Sequence, residues 1–192
     1  MAQLKQMINK NKFYIIGTLI LFLFLFYCST KLCMNVAPDE YMRYDIPLFI
    51  YNYSYLPKGD EKEILNAIWG FSYGFTPYLP SIISFFFMKI ASIFTTAPVH
   101  LLIAARLTSV LAGALTFFVC CKIGEEIFNH KMTIYLFAIF VSLLPQFMYV
   151  SLYLNNDSFS IFTTALIVYG WIKGIKTNWN CKWCIFLGVA IG

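Results

Sequence analysis

Apolar residues form six long runs along the chain, and short polar segments separate them. The runs cover residues 13–30, 78–94, 101–121, 132–154, 159–171 and 183–192. Each is long enough to favour a helix over a strand, although the last is cut short by the end of the sequence. Because backbone groups in lipid must be satisfied internally, helices are the natural structure for such runs. The pattern predicts an all-α integral membrane protein, a polytopic helical bundle.

Composition agrees with a membrane protein. Of the 192 residues, 60% are hydrophobic and 12% are charged, whereas a soluble domain carries about 25% charged residues. The net charge of +5 reflects the orientation of the chain in the membrane rather than nucleic-acid binding. The lysines and arginines lie mostly in short loops, and no basic stripe interleaved with aromatic residues occurs. We therefore expect no nucleic-acid partner.

The distribution of lysines predicts which runs cross the membrane. If run 78–94 does not cross, the N-terminal tail and the loops 122–131 and 173–182 all face the cytoplasm, as the positive-inside rule favours. If it crosses, the two later basic loops face outward. We therefore place run 78–94 at the outer interface. In this prediction residues 1–12 are a cytoplasmic tail, 13–34 the first transmembrane helix, 35–100 an exoplasmic loop with interfacial helices, and 101–192 further transmembrane helices, the last truncated.

Charged residues then collect on the exoplasmic face of this cell-membrane protein. Asp39, Glu40 and Arg43 follow the first helix, Arg106 lies early in its run, and Asp157 lies between two apolar runs. Ionisable groups at membrane depth indicate a functional site. A purely structural interpretation stays open for each: an i, i+4 pair of Asp39 with Arg43, a helix cap at Asp157 and a snorkelling Arg106. Because all five residues would lie on the same side of the membrane, a functional site is favoured over separate structural roles.

The segment "APDEYMRYDIP" after an N-terminal anchor resembles the first exoplasmic loop of GT-C superfamily glycosyltransferases. The segments "YGFTPYLPSIISFFFMKIASIF", "AARLTSVLAGALTFFVCCKIGEEIF" and "LLPQFMYVSLYLNNDSFSIF" follow in the order of that family. The pattern is similar to the aminoarabinose transferase of lipid A, the protein O-mannosyltransferases and family-39-like membrane proteins. It implies transfer of a sugar from a polyprenyl-phosphate-linked donor to an exoplasmic glycan, lipid or protein acceptor in the cell envelope.

The resemblance also assigns roles to residues. Asp39 matches the first-loop acid, the expected general base, and Glu40 matches its catalytic neighbour. Arg43, Arg106 and Asp157 are expected to bind substrate. The candidate metal ligands are Asp39 and Asp157, which suit Mg²⁺ or Mn²⁺, although nothing in the sequence requires a cofactor. A lipid-linked glycan transporter and a non-catalytic membrane subunit remain the alternatives. Since the sequence ends inside an apolar run, we expect a fragment of a longer enzyme.

Overall fold

A computed structural model describes residues 11–34 and 36–192, and these residues form helices and loops with no strand. The helices are α1 (Lys12–Lys31), α2 (Glu40–Tyr53), α3 (Leu79–Ala91), α4 (Pro98–Ile127), α5 (Lys131–Ser142), α6 (Pro145–Val150), α7 (Asp157–Lys176) and α8 (Cys181–Ile191). A 3₁₀ turn, Tyr73–Phe75, precedes α3. The chain is thus a helical membrane bundle, as the apolar runs predict. The predicted cytoplasmic tail falls almost wholly outside the described residues.

Within the described residues, three helices are long and apolar enough to cross a membrane, namely α1, α4 and α7. With 20 residues, α1 and α7 each extend about 30 Å, the thickness of a bilayer core. Helix α4 has 30 residues and extends about 45 Å. Helix α4 is therefore considerably longer than a bilayer core is thick.

Helix α4 is the centre of the bundle, and its contacts fix the direction of the other two spans. Near the C-terminus of α4, Glu125 accepts a hydrogen bond from Tyr14 at the start of α1 (3.1 Å). Near the other end, Arg106 contacts the last turn of α1. Helix α7 runs parallel to α4, because Asn155 lies beside Ser109 and Lys173 pairs with Glu126 (3.1 Å).

The bundle therefore has two chemically different ends. At the lysine end, Lys122, Lys173 and Lys176 pair with Glu125 and Glu126. At the opposite end, which we call the Asp39 end, lie the C-terminus of α1, the N-terminus of α2 and the N-terminus of α7. Because α1 and α4 are antiparallel, the segment 32–97 leaves and re-enters the bundle at this one end.

Helix α3 lies within that segment, against the first half of α4. Ser84 donates to the carbonyl of Ala105 (3.0 Å) and contacts the Thr108 hydroxyl, while Met88 packs on Leu101 and Leu102. Its 13 residues extend only about 20 Å, less than a bilayer core. Run 78–94 thus forms a short helix beside the Asp39 end. Its location in the outer interface stays a prediction.

The run 132–154, expected to form one helix, is instead broken. Helix α5 ends at Ser142, and α6 begins with Pro145 at its first position. Proline has no N–H to donate, and its ring crowds the preceding turn, so it kinks or breaks a helix. The chain breaks here, whereas α2 continues through Pro47. After α6, the chain is irregular but buried at Ser151 and between Tyr153 and Asn155. This irregular stretch leads the chain to the Asp39 end.

Candidate active site at the Asp39 end

A buried ion pair anchors the Asp39 end. The Nε and Nη2 atoms of Arg106 each donate to one carboxylate oxygen of Glu40, both at 2.7 Å. The relative exposure of the two side chains is 1% and 0%. Nη1 of Arg106 donates to the carbonyls of Ser29 (2.8 Å) and Leu32 (2.7 Å), and the Leu154 N–H donates to Oε1 of Glu40 (3.0 Å). The two parallel bonds from Arg106 to Glu40 are the bidentate geometry, which is the strong form of an arginine–carboxylate pair.

The pair joins four parts of the chain that are distant in sequence: the end of α1, the start of α2, the first third of α4 and the irregular stretch before α7. The structure thus brings Glu40 and Arg106 together, as their shared face suggested. Both oxygens of Glu40 are engaged, and neither side chain has a surface that a substrate could touch. This geometry supports a positioning role for both residues, and their direct roles in catalysis and substrate binding remain predictions.

Asp39, the residue before α2, is exposed and has a positive φ of 56°. Aspartate is one of the few residue types that tolerate this left-handed conformation. Oδ2 of Asp39 accepts a hydrogen bond from the Tyr73 hydroxyl (2.8 Å). Burial and this bond to Asp39 raise the pKa of Tyr73, against the opposing effect of Arg43. Tyr73 therefore remains a protonated donor that holds the Asp39 carboxylate in one orientation.

Arg43 shares the same tyrosine. Its guanidinium lies over the Tyr73 ring, 4.4 Å from the centroid, which is cation–π geometry. In the described part of the chain, Asp39 and Arg43 do not form the i, i+4 ion pair that their spacing allows. The Nε atom of Arg43 is buried and has no hydrogen-bond partner among the described residues. Tyr73 thus contacts both the Asp39 carboxylate and the Arg43 guanidinium.

Asp157 is exposed in the first turn of α7. The capping role that sequence reasoning allowed it belongs instead to Asn155, whose Oδ1 accepts from the Ser158 N–H (2.9 Å). The amide of Asn155 donates to the carbonyls of Val150 and Tyr153. Since Asn155 supplies the cap, the Asp157 carboxylate is available for other contacts.

Tyr153 connects the neighbourhoods of Asp157 and Arg43. It is buried, and Ala37, just before Asp39, belongs to the same apolar cluster. Burial raises the pKa of Tyr153, the negative charges of Asp157 and Glu40 raise it further, and the positive charge of Arg43 lowers it. Charged residues from both segments therefore act on the pKa of this one buried phenol.

Two hydrogen bonds that the sequence did not predict join the loop before α3 to the rest of the site. Tyr73 and Thr76 lie in the loop before α3, and Asn156 donates to the Thr76 hydroxyl (3.3 Å) across 80 residues. Neither residue belongs to a motif that predicts these contacts. The three polar residues 155–157 stand out in the sequence, but the different contact that each one makes could not be predicted from it.

The donors available at the Asp39 end limit how a metal ion could bind there. Among the described residues, no group of three or more His, Cys, Asp and Glu side chains forms a metal site. Mg²⁺ often uses one or two carboxylates and completes its coordination with phosphate oxygens and water. Asp39 and Asp157 provide carboxylates of that kind, so a metal here would depend on the substrate for its remaining ligands.

Comparison with known proteins adds a family. A family model described as dolichyl-phosphate-mannose-protein mannosyltransferase matches residues 76–192, more than half of the chain. The matched part contains Arg106 and Asp157, whereas Asp39, Glu40 and Arg43 precede it. No curated protein and no solved structure matches the chain. The match confirms the resemblance to GT-C membrane glycosyltransferases found in the sequence.

Proposed function

Because the chain belongs to the dolichyl-phosphate-mannose-protein mannosyltransferase family, we propose that it transfers a sugar from a polyprenyl-phosphate donor to an exoplasmic acceptor. The acceptor would be a glycan, a lipid or a protein of the cell envelope. The observation that carries this proposal is the Asp39–Tyr73–Arg43 group, in which one tyrosine contacts both a carboxylate and a cation near the end of a membrane span. A lipid phosphate at the membrane surface would meet both.

In this proposal, Asp39 is the general base. An acceptor hydroxyl attacks the anomeric carbon, its proton passes to the Asp39 carboxylate, and the bond from that carbon to the phosphate oxygen breaks. The polyprenyl phosphate leaves with the electron pair, and the anomeric centre inverts. The hydrogen bond from Tyr73 would keep the carboxylate aimed at the acceptor, since a base must lie within hydrogen-bond reach of the proton it takes.

Arg43 is the proposed contact for the donor phosphate. Its positive charge, held over the ring of Tyr73, would stabilise the negative charge that the leaving phosphate gains. We assign Asp157 to binding the sugar or the acceptor hydroxyls. Glu40 and Arg106 would act as positioning residues that fix the start of α2, and hence Asp39, relative to the bundle. A divalent ion, if bound by Asp39 and Asp157, would supply further charge to the phosphate; no step above depends on it.

The transporter alternative is less well supported by the charge distribution. Transporters place charged substrate sites near the middle of the bilayer, between broken helices of paired halves. Here the chain does contain a broken helix at Pro145, but the buried pair lies level with the last turn of α1, not with its middle. The non-catalytic alternative predicts that Asp39 can be replaced freely, which the following experiment tests.

The test is a transfer assay with the membrane-embedded protein and a panel of synthetic polyprenyl-phosphate sugars. The Asp39→Asn variant should lose about 10²-fold or more in kcat, because general-base catalysis contributes that much. Asp60→Asn is the matched control, since Asp60 is an exposed acid of the same exoplasmic segment. Asp39→Asn activity equal to that of Asp60→Asn would overturn the proposed role of Asp39. Donor release without transfer to any acceptor would favour a transporter.

A further inference from the structure

The loop between α2 and α3 exposes two large apolar side chains at its tip. Ile68 is 83% exposed and Trp69 is 73% exposed. Isolated exposed apolar residues are ordinary in proteins, but two adjacent ones, one of them tryptophan, are a costly arrangement in water. Phe71, at the base of the tip, is also exposed.

The tip is a defined turn, built around Asn66. Its side-chain Oδ1 accepts from the N–H groups of Ile68 (2.9 Å) and Trp69 (3.0 Å), and its carbonyl accepts from Gly70 (2.9 Å). The N–H of Asn66 donates to the carbonyl of Phe71 (3.0 Å). Gly70 has a φ of 59°, which glycine adopts without strain. The backbone is therefore fixed in a shape that displays Ile68 and Trp69.

Two hydrogen bonds hold this turn next to the start of α2. The Asn66 amide hydrogen-bonds the hydroxyl of Tyr41, which lies in the first turn of α2, and Tyr73 bonds Asp39 just before that helix. The same turn of α2 contains Glu40, which Arg106 ties to the carbonyls at the end of α1. The tip is thus linked through only a few side chains to the point where a membrane span ends.

We infer that Ile68 and Trp69 form a membrane anchor that inserts into the lipid headgroup region at the Asp39 end. Tryptophan is enriched at membrane interfaces because its ring is apolar and its N–H is polar. A phospholipid surface would cover the exposed side chains where the span emerges. It would also restrain the loop that carries Tyr73. This inference concerns the contact with lipid and does not depend on the transferase proposal.

The test compares tryptophan fluorescence of the full chain and of Trp69→Phe in phospholipid nanodiscs. The difference between the two emission spectra isolates Trp69 from the three other tryptophans. The discs contain either ordinary lipids or lipids brominated near the headgroup, and iodide serves as the aqueous quencher. Because Trp69 is exposed, the phenylalanine variant should fold as the wild type does, and circular dichroism checks this.

The anchor predicts that the Trp69 difference spectrum is blue-shifted, loses most of its intensity with brominated lipid and is weakly quenched by iodide. Strong quenching by iodide with no effect of bromine would place Trp69 in water and overturn the inference. Protection from both quenchers would also overturn it, because the tip would then be covered by protein, either a second copy or another part of a longer chain. Loss of transferase activity plays no part in the readout.

Discussion

Glu40 and Glu126 both pair with basic side chains, yet their surroundings differ. Glu40 is fully buried with Arg106, whereas Glu126 pairs with Lys173 and Lys176 at the partly exposed lysine end, at 3.1 Å in both cases. Breaking a buried pair leaves a charge without its partner, and that costs far more than breaking a pair near water. The two acids therefore form a natural comparison.

We expect Glu40→Gln to lower the free energy of unfolding by about 3–5 kcal/mol and Glu126→Gln by about 0–1 kcal/mol. Thermal unfolding of both variants in the same detergent measures the difference. Similar midpoints for the two variants would show that the buried pair does not hold the Asp39 end together. Arg106→Lys should resemble Glu40→Gln, because lysine cannot donate the parallel pair of bonds.

Asp45, in the middle of α2, predicts a pH dependence of stability. It is half-buried and accepts no hydrogen bond from the described residues, and burial raises the pKa of its carboxyl to about 6 from 3.8. Between these two values the folded protein binds more protons than the unfolded chain. Stability therefore falls as the pH rises through that window and levels off above it.

The Asp45→Asn variant should lose this dependence. Its gain in stability over the wild type should be larger at about pH 7.5 than at about pH 4.5, by at most about 2 kcal/mol, since water partly screens a half-buried carboxylate. Unfolding midpoints at the two pH values measure it, with Asp60→Asn as the control because Asp60 is exposed. Equal gains at both pH values would mean that Asp45 is solvated as an ordinary carboxylate.

At the scale of elements, the site depends on how closely the irregular stretch after α6 approaches α4. Gly113 of α4 faces Ser151 there, and a Cβ added at Gly113 would lie 2.5 Å from Oγ and 2.7 Å from Cβ of that serine. The same stretch supplies the Leu154 N–H to Glu40 and the Asn155 cap of α7. A glycine in the central helix therefore sets the path of the chain into the site.

Gly113→Ala should destabilise the protein by about 1–3 kcal/mol, the usual cost of overpacking. Gly188→Ala is the matched control: nothing lies within 4 Å of the added Cβ, and alanine favours helix by up to about 1 kcal/mol. Thermal unfolding of the two variants tests the contrast. A neutral Gly113→Ala would show that the 151–156 stretch can move away from α4 without loss.

The helices could be predicted from the sequence and the site only in part. Apolar runs fix where helices lie, because lipid demands internal hydrogen bonding. The break at Pro145 was also readable, since proline interrupts a helix, but the length of the run 132–154 concealed it. Tyr73 was not readable: its bond to Asp39 spans 34 residues and arises only when the loop packs on α2. The pairing of Glu40 with Arg106 needed the same three-dimensional information.

For the whole molecule, the remaining question is which end of the bundle faces out. The structure shows that Lys122, Lys173 and Lys176 share one end and Asp39 and Asp157 the other. The positive-inside rule predicts that the lysine end is cytoplasmic. Native cysteines report on both ends, because Cys33 is exposed after α1 and Cys181 is exposed at the start of α8, close to Lys176 in sequence.

Two variants would each keep one of these cysteines, with the others replaced by serine or, at the buried positions 120 and 121, by alanine. A membrane-impermeant maleimide applied to intact cells should label the Cys33 variant and spare the Cys181 variant, and both should react after permeabilisation. That result would place the Asp39 carboxylate on the exoplasmic side, where a polyprenyl-phosphate sugar could reach it. The reverse pattern would put the carboxylate on the cytoplasmic side, and the proposed exoplasmic transfer would then be wrong even if the helices pack as described.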